Sequence, residues 1–276
     1  MQEPSTIEQD HRKQDHSLGK PSVVAPIESV AAVALDAGRM LMEAGASAGS
    51  VHGIVDKVSR GLGAGRVELR IGYASLAITL GIGQLDTTQM RRVGDLGVNQ
   101  RMIQGLWDFG KRVECQEVSA EQARAELLRL AAEMPRHPPW VVAVAVGIAC
   151  AAFGRLLGMD WYAVVPVFLA STLGQYLRHE FLRSRVNVFI CTALISYLCS
   201  VISGLGSRWI GSATLTTAMI ASILLLVPGV PAVNAQFDIL EGYPTLGSAR
   251  AVTVVMALIF IAVGLWLAEI SLVQLA

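Results

Sequence analysis

Five apolar stretches dominate the second half of this 276-residue chain, at residues 140–157, 162–177, 186–205, 213–233 and 251–267. A helix needs about 20 mainly apolar residues to cross a hydrocarbon core of about 30 Å, so each reads as a transmembrane segment, the first two being short for it. Their succession through short loops, with Trp140, Trp161, Tyr162 and Trp209 at their ends, matches the aromatic belts that form where a membrane meets water. Charge is distributed accordingly: of 44 Lys, Arg, Asp and Glu residues, 11 lie after Trp140. The expected fold class is a membrane all-α domain of about five transmembrane helices, residues 136–276, preceded by a small cytoplasmic α+β domain.

Residues 27–135 change period along their length. Val30, Val33, Ala34, Ala37 and Leu41 recur at helical spacing ahead of Gly45, and Val51, Ile54, Val55, Val58 and Leu62 do so behind a capping Ser47. Arg66, Glu68 and Arg70 then alternate with Val67, Leu69 and Ile71, the signature of a half-buried strand, with further strands expected near 74–80 and 84–90. Helices near 98–109 and 120–132 complete the layer. Residues 1–20 are polar and charged without an apolar core, and residues 1–26 read as a disordered tail rather than a signal peptide.

Several function classes find no support. The formal net charge is zero and no basic tract is dense, so no nucleic acid is expected as a partner. The run GLGAGR at 61–66 closes a helix before a strand, the reverse of a dinucleotide fingerprint. Cys115, Cys150, Cys191 and Cys199 lack C-x-x-C spacing, and His52 has no ligand-spaced neighbour, so no metal and no cofactor is expected. No nucleophile elbow, catalytic carboxylate pair or triad stands out, and the chain reads as a non-enzyme with no catalytic residue. Arg129 and Arg136 before the first stretch, Arg178, Arg183 and Arg185 after the second, and Arg250 before the fifth outnumber Arg155 and Arg208 on the other side. That bias places the α+β domain in the cytoplasm and Ala276 outside.

The fourth stretch behaves unlike the others: LLLVPGVPAVNAQFDILEGYPTLGSAR, residues 224–250, places two prolines and a glycine where lipid-facing helix should continue. Pro228 removes a backbone donor and drives Val227 out of helical geometry, while Pro231 suits the first position of a new helix. A broken span is expected, its second piece starting near Pro231 with bare amides. Asn234 and Asp238, four apart, would share a face of that piece, Gly242 would allow a turn and Arg250 would open the last span. Irregular backbone at membrane depth survives only when buried in protein or lining a wet cavity, which describes a transport pathway. Asp238, Glu241 and Arg250 also fit a proline-kinked helix ending at the cytoplasmic surface, where they are merely interfacial, and both readings stay open. Asn187, Gln175 and Arg178 are further polar candidates near the ends of neighbouring spans, each also readable as a packing or interface residue.

These residues resemble the threonine/serine exporter family. Besides the 224–250 stretch, PPWVVAVAVGIACAAFG, FLASTLGQYLR, GVNQ at 97–100 and EAGAS at 43–47 are similar to the larger, amino-terminal-half subunit of its split, two-protein branch, over about residues 28–270. The resemblance implies export of small hydrophilic metabolites from the cytoplasm across a bacterial inner (plasma) membrane: threonine and serine, or a C4-dicarboxylate such as succinate. It also implies a small four-span membrane partner, with homo-oligomerisation left open, and proton-motive force as the energy source. Pro228, Gly229, Pro231, Asn234, Asp238, Gly242 and Arg250 are the motif positions. As a working assignment, Arg250 and the amides after Pro231 hold a substrate carboxylate, Asn234 orients it, Asp238 exchanges a proton, and Pro228 with Gly229 forms a hinge. The competing readings are a membrane-anchored ligand sensor or scaffold, and an interfacial enzyme that the placement of the histidines disfavours.

Overall fold

The computed structural model describes residues 27–115, 118–133 and 137–274. The tail at 1–26, together with Arg136 and Ala276 of the orientation argument, lies outside them. Helix α1 (Ile27–Glu43) turns through Gly45 into α2 (Ala48–Gly61), which Ser47 caps by accepting from Ser50 N. Gly45 has φ 89°, where a side chain is strained, and a Cβ there would lie 2.3 Å from Gly97 O. Strands β1 (Arg66–Ile71), β2 (Ser75–Ile82) and β3 (Leu85–Arg92) form an antiparallel meander with Ile71 opposite Leu76 and Ile82 opposite Leu85. Helices α3 (Gln100–Cys115) and α4 (Ala120–Glu133) follow. Alternation along β2 turns Leu76, Ile78 and Leu80 toward the helices, where they are fully buried with Leu35, Leu41, Ile54 and Phe109. Burying each such side chain stabilises the layer by about 1.5–3 kcal/mol.

The second half comprises α5 (Pro139–Leu156), α6 (Val164–Arg183), α7 (Val188–Trp209), α8 (Leu215–Ile223), α9 (Gly229–Leu240) and α10 (Pro244–Gln274). Three of them, α5, α7 and α10, are long and apolar enough to cross a membrane, and α8 with α9 makes a fourth if the bent pair is one span. By that measure three to four of the five expected crossings are supported. Helix α6 occupies the second stretch, but its last turns carry Gln175, Arg178, His179, Glu180 and Arg183, too polar for lipid alone.

The chain nonetheless runs back and forth between two ends. At one end Ser212 Oγ (2.9 Å) and Ala213 N (2.8 Å) donate to Asp160, tying the α5–α6 corner to the α7–α8 corner, and Arg208 donates to Leu272 O (3.4 Å) near the end of α10. Trp161, Tyr162 and Trp209 are exposed there. The α+β layer sits at the other end. Helix α10, with 31 residues and about 46 Å of length at 1.5 Å per residue, exceeds the hydrocarbon core, and its first turns bury Leu246 in the core of the layer. Between the ends, α7 and α10 approach closely at Gly264, whose missing Cβ would lie 2.5 Å from Ala193 O, and Ser196 Oγ donates to Ile261 O (2.7 Å).

Candidate functional site

After α8 the chain tightens into a 3₁₀ turn (Leu224–Leu226), takes extended backbone at Val227 (φ −64°, ψ 120°) and restarts at Gly229, with α9 leaving at 61°. Pro228 is the local cause, since it lacks a donor and bars its predecessor from helical geometry. Gly229 N turns back to Val227 O (2.9 Å), and the helical pairing of Val230 N with Leu226 O is not made. The new helix begins two residues earlier than expected: Pro231 is its third residue, a position where the missing N–H still costs nothing because first-turn amides have no intrahelical partner. The 9 residues of α8 and 3 of the turn span about 18 Å, short of a hydrocarbon core of about 30 Å, so α8 needs α9 to complete a crossing if the bent pair is one span.

Beyond the break, α9 with its C-cap Glu241 and the start of α10 meet the α+β layer through four polar side chains. Asp238 Oδ1 accepts from Ala48 N (2.7 Å), and its Oδ2 accepts from Arg250 Nη1 (2.6 Å). Arg250 Nη2 donates to Ala46 O (2.9 Å), Asn234 Nδ2 donates to Gly45 O (2.7 Å), and Glu241 Oε2 accepts from Gly49 N (3.1 Å). The spacings of four and three put Asn234, Asp238 and Glu241 on one face of α9. Their counterparts are the α1–α2 turn and the first amides of α2, which lack intrahelical partners and carry the positive end of the helix dipole, a favourable seat for two carboxylates. Gly242, at φ 89°, makes the turn that returns α10 and so brings Arg250 onto Asp238.

This clasp is buried: Asp238 is 0% and Arg250 4% exposed. Leu246, with Tyr243 partly, adds apolar contact to the core of the layer. Burial, then the nearby Glu241 and Asp238 carboxylates, push the Tyr243 hydroxyl above its usual range. From the opposite side Gly97 N donates to Glu43 O (2.8 Å) and Asn99 N to Ala44 O (2.9 Å), so the GVNQ segment holds the turn that the clasp grips. The Glu43 carboxylate in turn accepts from Gly94 N (2.9 Å) and Arg39 Nη1 (3.1 Å).

The structure thus brings Asn234, Asp238 and Arg250 together, but against backbone of the first half rather than around an open cavity. Asn187 lies apart from them as the N-cap of α7, its side chain accepting from Phe189 N (2.9 Å) and Ile190 N (3.5 Å). Arg178 is half-buried on α6, away from the clasp elements. What sequence reasoning missed is the backbone of 45–49 as the counterpart of these side chains, and with it the seat of Glu241, read only as an interfacial charge, on Gly49 N. A stripe of fully buried serines on α7, Ser196, Ser200, Ser203 and Ser207, was also legible in its spacing, with Ser203 Oγ donating to Ser222 Oγ of α8 (3.0 Å). Among the described residues no group of His, Cys, Asp and Glu is placed to hold a metal ion.

Residues 32–272 match the model of the family described as "Putative threonine/serine exporter". The chain belongs to the threonine/serine exporter family. It is also similar to two curated proteins, each described as "Probable succinate transporter subunit YjjP". The protein of Escherichia coli (strain K12) is 29% identical over 223 residues, 80% of this chain and 86% of the relative. That of Klebsiella aerogenes is 29% identical over 211 residues, 76% of this chain and 81% of the relative. No solved structure matches the chain. Membership of an exporter family agrees with the apolar helices in marking a multi-pass membrane protein of transport, and the family match covers both the clasp and the break.

Proposed function

We propose that the chain is the larger subunit of a two-subunit exporter in a bacterial inner membrane, with the α+β layer in the cytoplasm, working with a small four-span membrane subunit. Its cargo is a small metabolite bearing a carboxylate: a C4-dicarboxylate such as succinate, or threonine and serine. What supports this reading is the bent α8–α9 pair, apolar enough to form a fourth span broken at Pro228, together with the buried ion pair that holds its second piece. Arg250 is where cargo and protein compete. A cargo carboxylate that takes the guanidinium displaces Asp238, frees α9 from the amides of α2, and lets it swing about Pro228 and Gly229. Asp238, parted from its cation, is then the group placed to exchange the coupling proton, and Asn234, leaving Gly45 O, becomes available to orient the cargo. The names of the relatives support the dicarboxylate, and the family description supports the amino acids.

The test is efflux of labelled succinate, and separately of threonine, from loaded cells with and without the pair of proteins. Faster efflux of at least one with the pair is expected, and Arg250→Ala should abolish it while the protein stays in the membrane. Equal efflux of every cargo would remove the exporter reading.

A further inference from the structure

The break between α8 and α9 is uncovered in this chain. A Cβ built on Gly229 meets no atom within 4 Å, and Val227, Gly229, Val230 and Pro231 are all exposed. The pairing of Val230 N with Leu226 O is also unmade, and where the bent pair crosses the membrane as one broken span neither lipid nor bulk water satisfies it, because irregular backbone in hydrocarbon persists only against protein or a wet cavity. The exposed flank continues down α9 through Val233, Phe237 and Leu240, a stripe at spacings of three, four and three with no charged side chain. An exposed apolar face on a lipid-embedded helix needs no explanation by itself. An exposed break in the backbone beside it does.

We propose that the second membrane subunit of the exporter docks over this break. A helix of that subunit crosses at Gly229 with a small residue, lies along Val230, Val233 and Phe237, and turns a hydroxyl or amide side chain to the Val230 N–H. This deepens the exporter reading and rests on it for the existence of the partner. It also places the translocation route: the hinge at Pro228 is walled by this chain on the α7 side and by the partner on the other, so α9 moves along an interface between subunits.

The experiment co-expresses this chain with the small membrane protein of the same family carrying an affinity tag. Gly229→Leu adds a side chain where this chain leaves open space, so the purified subunit should melt as wild type while recovery with the tagged partner falls at least tenfold. A photo-crosslinking residue at Val233 should give an adduct with the small subunit, and the same residue at Val255, on the outer face of α10, should give none. Undiminished recovery of Gly229→Leu would overturn the proposal. So would a Val233 adduct of twice 29.4 kDa, a second copy of this chain, or labelling of lipid alone. If Gly229→Leu fails to fold, the adduct still decides. Adducts to the small subunit without any efflux would sink the exporter reading and leave the docking surface standing; efflux that needs both proteins, with no adduct at Val233, would do the reverse.

Discussion

A carboxylate and a guanidinium taken out of water are stable together only when their remaining lone pairs and protons also find partners. Asp238 and Arg250 meet that condition through Ala48 N and Ala46 O. Removing one member leaves the other charged and buried, so Arg250→Ala should lower the stability of the solubilised protein by about 3–5 kcal/mol. Asp238→Leu combined with Arg250→Leu should cost clearly less than the two single changes summed, because no orphan charge remains. Thermal unfolding of the four proteins checks this, and additive losses would mean that the pair is not coupled. That these residues are polar and sit near a break was readable from their neighbours in the chain. That they face 190 and 204 residues back was not, because no local property of a carboxylate says which distant amide will receive it.

At the scale of elements, Asn187 and Pro228 separate a capping role from a hinge. Asn187→Ala removes the side chain that satisfies two amides of α7, and should cost about 1 kcal/mol while leaving efflux unchanged. Efflux lost at unchanged stability would instead put Asn187 in the pathway. Pro228→Ala with Pro231→Ala restores two backbone donors, so α8 and α9 should straighten from 61°. Spin labels at Thr216 and Leu240, both exposed, should then report a longer separation, and efflux should fall. An unchanged separation would locate the cause of the bend in the clasp. The break itself was legible, since proline acts on its own neighbours. Helix α6 was legible as a helix but not as a crossing, because a window of apolar residues marks where helix begins, whereas its polar last turns are tolerated only through what surrounds them.

Across the whole molecule the two ends are held by different chemistry, the near end by the clasp and the far end by Asp160. Burial pushes the Asp160 carboxyl up, but hydrogen bonds from Ala163, Ser212, Ala213 and Thr214 outweigh it and hold the group below the usual carboxylate range. A carboxyl depressed in the folded state stabilises fully above its unfolded pKa of about 3.9, and that stabilisation is lost as pH falls through the lower folded value. Asp160→Asn should therefore melt lower than wild type at neutral pH, with the gap closing only below about pH 4. A gap independent of pH would show that the charge of Asp160 does not hold the corners together.

Amphipathic period, strand alternation, apolar length and the constraints of proline act within a few residues of themselves, and they sufficed for the α+β layer, the apolar helices and the break. The clasp belongs to tertiary structure alone. EAGAS, GVNQ and the asparagine, aspartate, glutamate and arginine of the last two helices stand far apart in the chain, and only folding brings the bare amides at the head of α2 to the carboxylates of α9. Hydrogen bonds of that kind are chosen by position in space, which a linear pattern does not encode.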